Sequence, residues 1–465
     1  MILPITELKA AFLSFYNLQN LSAKVGDVVV NFAYKIAETD ITTLIDPIIT
    51  GNKKVFYFNR PEENLVILAF QEAYSVKING MNKFSALGDK ISAVSNNLIS
   101  NLDNDSSSKF PLFVGGTKFS SRKNSDEWKD FADNDWFVPQ FLLYKKNEDH
   151  WLVLNFLLDN NYTAEEQINC LLEPVSKMTN KKFISPKDNA GLNIHLVDKE
   201  REEWNSIISD ALNEIRDGLF RKVVLSRRIT ADIKSLPSFH YVLTKLNQNY
   251  QNCTVFLYRS ENSVLFGATP EQLLKLKESH LEFDALAGSA KRGDTEEDDE
   301  IMACSLLKDK KNSEEHNYVI DFIKESTSAY VHNLKQFDTD IKKFSNIQHL
   351  YTPIKAELNS SEQIYKLVDD IFPTPAICGS PKGTSYNYII NNEKFDRGLF
   401  SGIIGLISPG EMDLIVAIRS ALLNDNKLYV YAGCGIVRDS DPASEFDETE
   451  IKMQPILSLF KNESQ

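Results

Sequence analysis

The sequence predicts an α+β fold built on large antiparallel sheets. Three observations carry that expectation. Aromatic-rich apolar runs of strand length recur along the chain, several long segments place apolar residues at helical spacing, and the two kinds do not alternate in the strict βαβ order of a parallel sheet. With 465 residues, 42% of them hydrophobic, the chain can also bury a sizeable core.

In chain order, MILPITELKAAFLSFYNLQN reads as an amphipathic helix. It has no basic start, cleavage site or long apolar run, so a soluble, cytoplasmic protein with no membrane partner is expected. The runs KVFYF (54–58), LVILAF (65–70), FPLFVGG (110–116), WFVPQFLLYKK (136–146) and HWLVLNFLL (150–158) read as strands. NLDNDSSSKF and SSRKNSDEWKD, rich in turn formers, read as exposed connections. From Lys199 to Asp217, Trp204, Ile207, Ile208, Ala211, Leu212 and Ile215 repeat at helical spacing, and Gly218 supplies a stop. RKVVLSRRI, TVFLYR, SVLFGA, EQLLKLK and HLEFDALAG then form a meander, and FDRGLFSGIIGLI, DLIVAIRSALL and KLYVYAGCGIV repeat its character. Helices are expected near 296–335, 361–371 and 442–460.

The net charge of -14 repels nucleic acid and anionic membranes, so function must rest in a local site. Five scattered cysteines without a CxxC pair suit reduced thiols. The histidines lack HxH or HExxH spacing, so a metal would be held by carboxylates, which favours magnesium.

The last predicted helix carries the most informative spacing. Ser440-Asp441-Pro442 supplies a cap and a first-turn proline, and Glu445, Glu448 and Lys452 then fall on one face. Alone, such a pair of acids reads as a solvated surface stripe, but YAGCGIV directly upstream is a glycine-rich strand end where backbone can approach a ligand. Glu314-Glu315-His316 opens the segment NYVIDFIKEST, where capping is the simple account. Paired with Glu448, such a carboxylate could instead hold an octahedral magnesium ion.

Lys222 sits in RKVVLSRR among Arg221, Arg227 and Arg228. If it points inward, burial and those cations would depress its pKa and make it a general base. Glu271, after a Thr-Pro turn, would keep its proton if buried and could donate it to a leaving hydroxyl. ALAGSAKRGD, PTPAICGSPKG and YAGCGIV add three glycine turns able to offer N–H groups to an anion.

Taken together and in this order, KVVLSRR, LFGATPEQLL, LAGSAKRG, EEHNYVIDFI, PTPAICGSPK, FDRGLFSGIIG, LIVAIRSA and YAGCGIVRDSDPASEFDETEIK resemble the chorismate-utilising enzymes. That family includes isochorismate synthase, salicylate synthase and the first components of anthranilate and aminodeoxychorismate synthases. The likeness is strong over 199–459 and thinner before, mainly WFVPQFLLYKKNEDHWLVL. It implies one α+β fold of two layered antiparallel β-sheets with outer helices. Residues 1–198 would be its variable N-terminal part and 199–459 its chorismate-binding core.

In this family a lysine at the position of Lys222 marks the water-adding members, where ammonia users carry glutamine. Ala287 stands where aminodeoxychorismate synthases place a nucleophilic lysine. The resemblance therefore implies conversion of chorismate to isochorismate without a glutaminase subunit; a monomer is plausible for the water-using group, and the oligomeric state stays open. Isochorismate serves menaquinone, siderophore and other salicylate-derived pathways, and neighbouring enzymes set which.

Residue by residue, the resemblance has Lys222 activate water for attack at ring C2 and Glu271 protonate the departing C4 hydroxyl. Glu315 and Glu448 would bind Mg2+, with Glu445 through water or just behind. Arg419 would meet a substrate carboxylate, helped by Gly288, Ser289, Thr374, Tyr429, Gly433, Gly435 and Lys452. Related isochorismate synthases read HPTPA where this chain has Phe372 before PTPA, which removes a polar ring. Salicylate synthase, which also eliminates pyruvate, and a non-catalytic chorismate binder are the alternatives.

Overall fold

A computed structural model describes residues 4–24, 28–80, 83–102, 110–120, 126–180, 192–194, 199–233, 236–345 and 347–460. Most of the expected exposed connections at 101–110 and 120–130 lies outside the described residues.

The strands build two antiparallel sheets that share members. One runs, by hydrogen-bonded neighbours, through Val29–Lys35, Asp149–Leu157, Asn134–Lys146, Leu65–Ile78, Lys54–Arg60, Thr254–Ser260, Ser263–Thr269, Ser420–Asn424, Lys427–Ile436 and Lys222–Ile233. The other leaves the first half of Asn134–Lys146 and continues through Phe113–Thr117, Ile403–Ser408, Glu411–Val416, Gln272–Lys277, His280–Lys291 and Ile347–Leu358. A bulge between Glu72 and Tyr74, beside Gln71 at φ 56°, bends the long strands where the sheets part.

Strand alternation explains the layers, because successive side chains point to opposite faces. Phe56 and Phe58 join Ile67, Tyr258, Ile404 and Ile415 in a core between the sheets, while Val55 and Tyr57 face outward to helices. One outer face is covered by helices carrying Phe12, Leu243 and Ile456, and the other by helices carrying Leu87, Ile208, Ile320 and Leu367. Deep between the sheets Lys54 meets Asp135 at 2.7 Å and Ser260 at 3.1 Å, a charge tolerable there because it is paired and hydrogen-bonded. The two sequence halves interleave: Lys54–Arg60 pairs with Thr254–Ser260, and Phe113–Thr117 with Ile403–Ser408.

One expected region differs. The helical region expected near 296–335 holds two helices, Glu296–Lys308 and Lys310–Thr327, the second starting before Glu314, and ends in the strand Val331–Gln336. Asp309 makes the break: its backbone is extended (ψ 120°), and its carboxylate accepts from the Asn312 N–H at 2.8 Å, capping the second helix. Glu315 therefore lies a turn inside that helix and is free of capping duty. Among the described residues no helix is long and apolar enough to cross a membrane.

Candidate active site

A cavity of about 190 Å3 opens where both sheets and two helices meet. Its wall brings together Lys222, Glu271, Gly288, Ser289, Glu315, Arg419, Gly433, Gly435, Glu445, Glu448 and Lys452. Tyr429 and Thr374 stand apart from it. The strand Lys427–Ile436 runs from between the sheets to the cavity, so Tyr429 packs under Arg228 at 4.9 Å while Gly433 and Gly435 reach the site. Thr374 instead closes a turn, its carbonyl accepting from the N–H groups of Ile377 and Cys378. Phe372 also lies off the cavity wall, with its ring edge-on to Phe119 at 6.5 Å.

Lys222 begins its strand with the side chain turned inward, 1% exposed, and its ammonium 2.7 Å from Glu315. The arginines beside it in sequence turn elsewhere: Arg227 bonds Thr449 and Glu450, and Arg228 bonds Glu127. The close charged neighbour of Lys222 is thus a carboxylate. Gly435 makes the pair possible, because a Cβ there would stand 2.7 Å from Lys222 Cε and 2.8 Å from Glu315 Oε1.

Glu271 follows the strand Ser263–Thr269, and the Val416 N–H holds its carbonyl at 3.1 Å. Burial raises its carboxyl pKa to about 7, and Lys222 and Arg419 only partly oppose that shift. At neutral pH a proton is therefore available at this carboxyl.

Arg419 sits buried at a left-handed turn, φ 52°, between two strands. Burial lowers its pKa, Glu448 and Glu271 partly offset the effect, and among the described residues its guanidinium has no hydrogen-bond partner. A buried fork without a partner suits a ligand carboxylate.

The last helix, capped by Asp441 accepting from the Ser444 N–H at 2.9 Å, delivers Glu445, Glu448 and Lys452. Lys452 donates to the Gly433 carbonyl at 3.0 Å and pairs with Glu448 at 2.5 Å. Burial alone would raise the Glu448 carboxyl, but Lys452 and Arg419 hold it below its ordinary range. Burial and the charge of Glu448 push Glu445 up, with Lys311 at 3.7 Å. Among the described residues no three His, Cys, Asp or Glu side chains already form a metal cluster. Yet Glu315, Glu445 and Glu448 converge from two helices on one cavity, and the crowding of the last two is what a hard divalent cation relieves.

The reading of the sequence missed several wall residues. His349 pairs in register with Ser289, whose Oγ lies 2.9 Å from its Nδ1. Burial first, then Arg419 and Lys452, hold its pKa well below the usual imidazole range, so it is neutral. Gly288, at φ 73°, is the extra residue of a bulge, and Asn312 fixes that loop by accepting the Ser289 N–H at 3.1 Å. Lys311 and Ser401 also line the wall.

The sequence pattern of the family described as chorismate binding enzyme matches residues 16–461. The chain is 29% identical over 425 residues to an isochorismate synthase of Bacillus subtilis, covering 89% of each. It is 31% identical over 350 residues to a salicylate biosynthesis isochorismate synthase of Pseudomonas aeruginosa, covering 74% of this chain and 73% of that one. In fold it is similar to the menaquinone-specific isochorismate synthase of Escherichia coli, with a TM-score of 0.77 at 19% identity over 98% of this chain and 100% of that one.

Proposed function

Because this chain belongs to the chorismate binding enzymes, whose pattern spans residues 16–461, we propose that it is an isomerase converting chorismate to isochorismate with magnesium bound. The observation that carries the reading is the placement on one cavity of Lys222 and of Glu271, whose carboxyl burial pushes up to about 7, a base and an acid for opposite ends of one displacement. Lys222, as the neutral amine left once the ammonium has given its proton to solvent, takes a proton from a water whose oxygen bonds to ring C2. The two ring double bonds shift, the C4–oxygen bond breaks, and Glu271 protonates the departing hydroxyl to water. One water enters and one leaves, so the net change is an isomerisation.

Arg419 would fork onto one substrate carboxylate, while the Gly288–Ser289 turn and Lys452 line the rest of the anion's bed. Glu315 and Glu448 would hold the magnesium ion, with Glu445 behind. When bound, that ion would supply positive charge for the ring carboxylate.

The test is product analysis of purified protein with chorismate and magnesium, with and without ammonium. Isochorismate at equal rates in both supports the proposal. Anthranilate formed only with ammonium would remove Lys222 as a water-activating base. Salicylate with pyruvate would add a lyase step, and no turnover would sink the enzymatic reading.

A further inference from the structure

One edge of the strand that presents Lys222 is covered by short strands only at its two ends, by Gly379–Ser380 at the start and Leu192–Ile194 at 231–233, and the stretch between has no strand partner among the described residues. Gly379 and Ser380 pair with Val223 and Lys222, and the N–H groups of Arg221 and Val224 donate to the Ser380 and Cys378 carbonyls at 2.8 and 2.9 Å. Beyond Val224 that ladder ends. The Val224 carbonyl and the Ser226 N–H still face protein, where an unmade hydrogen bond is costly.

Two side chains, Arg397 of the FDRG segment and Glu393 two residues before that segment, take over the missing ladder. Arg397 donates to the Val224 carbonyl at 2.7 Å, to the Ile377 carbonyl at 2.9 Å and to Glu393 at 2.8 Å. Glu393 in turn accepts the Ser226 N–H at 2.8 Å. Both side chains are 1% exposed, and Phe119 covers the guanidinium at 4.5 Å. Val224, Ser226 and Ile377 all line the cavity. One planar fork thus ties together two of its walls, two residues along the strand from Lys222.

We propose that Arg397 and Glu393 are positioning residues: their ion pair stands in for a missing β-strand and fixes the strand register that aims Lys222 at the substrate. The assignment rests on the reading of Lys222 as the base. A lysine ammonium, with three N–H donors on one atom, cannot reproduce the four directed bonds of this planar guanidinium, so charge alone does not replace Arg397.

The experiment combines steady-state kinetics on chorismate with hydrogen exchange at the 222–228 amides, in wild type, Arg397→Lys and Glu393→Gln. Arg397→Lys should lower kcat about 100-fold with KM within about threefold, since the groups facing the substrate are untouched while the base is misaligned. Glu393→Gln keeps size and one acceptor oxygen, and should lower kcat about tenfold if Arg397→Lys fails to fold. Both should speed exchange at the Ser226 amide. Unchanged kcat and unchanged Ser226 exchange in a folded variant would overturn the assignment, as would a rise in KM at constant kcat. If wild type does not turn chorismate over, the proposed function fails, and the Ser226 exchange still decides whether the pair completes the ladder.

Discussion

Glu271 holds its proton up to about pH 7, above the ordinary carboxylate range, because burial outweighs the opposing charge of Lys222 and Arg419. The sign of the pH effect follows. Its folded pKa of about 7 lies above the ordinary 4.5, so the unfolded chain ionises first and the fold loses stability between those values. Glu271→Gln removes that loss. The variant should gain roughly 3 kcal/mol over wild type between pH 4.5 and pH 8 in urea unfolding, while kcat falls at least about 100-fold. Equal pH dependence in the two proteins would show that Glu271 is ionised when folded. Lys222→Gln should suppress isochorismate formation by about 100-fold or more and leave magnesium binding nearly intact, as measured by calorimetry. How legible such residues were depended on local context. Glu445, Glu448 and Lys452 could be grouped from helical spacing alone, whereas His349 is set opposite Ser289 by a strand register that no local pattern encodes.

At the scale of elements, the last helix and the strand before it act as one unit. The glycines of YAGCGIV let that strand pass close to Lys222, Glu315 and Ser226, where a Cβ at 433 or 435 would stand within 2.8 Å of one of them. Gly435→Ala should therefore push Lys222 from Glu315 and lower kcat about tenfold to 100-fold, with an unchanged circular-dichroism spectrum. Full activity would mean that the ion pair relaxes without consequence. Apolar periodicity made the strands and the helix at 199–216 readable. It overran at the end of 296–335, where the chain leaves the second helix at Thr327 and becomes the strand Val331–Gln336, and it did not show that this helix starts at Lys310 under the cap of Asp309. The family resemblance put Tyr429 with Gly433 and Gly435, and the structure parts them because their strand moves from one core to another along its length.

For the whole molecule, the cavity carboxylates arrive from residues 271, 315, 445 and 448 and meet cations from 222, 311, 419 and 452. Ligands that engage this set bind only the folded chain, so magnesium with chorismate should raise the melting temperature, by about 2.7 kcal/mol of stability at one hundred times Kd. Chelation should cancel the magnesium part, and Glu448→Ala should show no magnesium-dependent shift. A shift retained by that variant would place the metal elsewhere. The layered architecture and its outer helices were expected from the family resemblance, but the pairing of particular distant strands was not, because pairing is decided by tertiary packing.

Those distant pairings also govern how the protein is made. The strand Lys54–Arg60 hydrogen-bonds to Thr254–Ser260, and Phe113–Thr117 to Ile403–Ser408. At about 5–20 residues per second of synthesis, the first strand waits about 10–40 s for its partner, and the second longer still. Until then their apolar edges are uncovered on the ribosome. Newly made chains should thus depend on chaperones more than a protein of local contacts does, and refolding from denaturant should be slow.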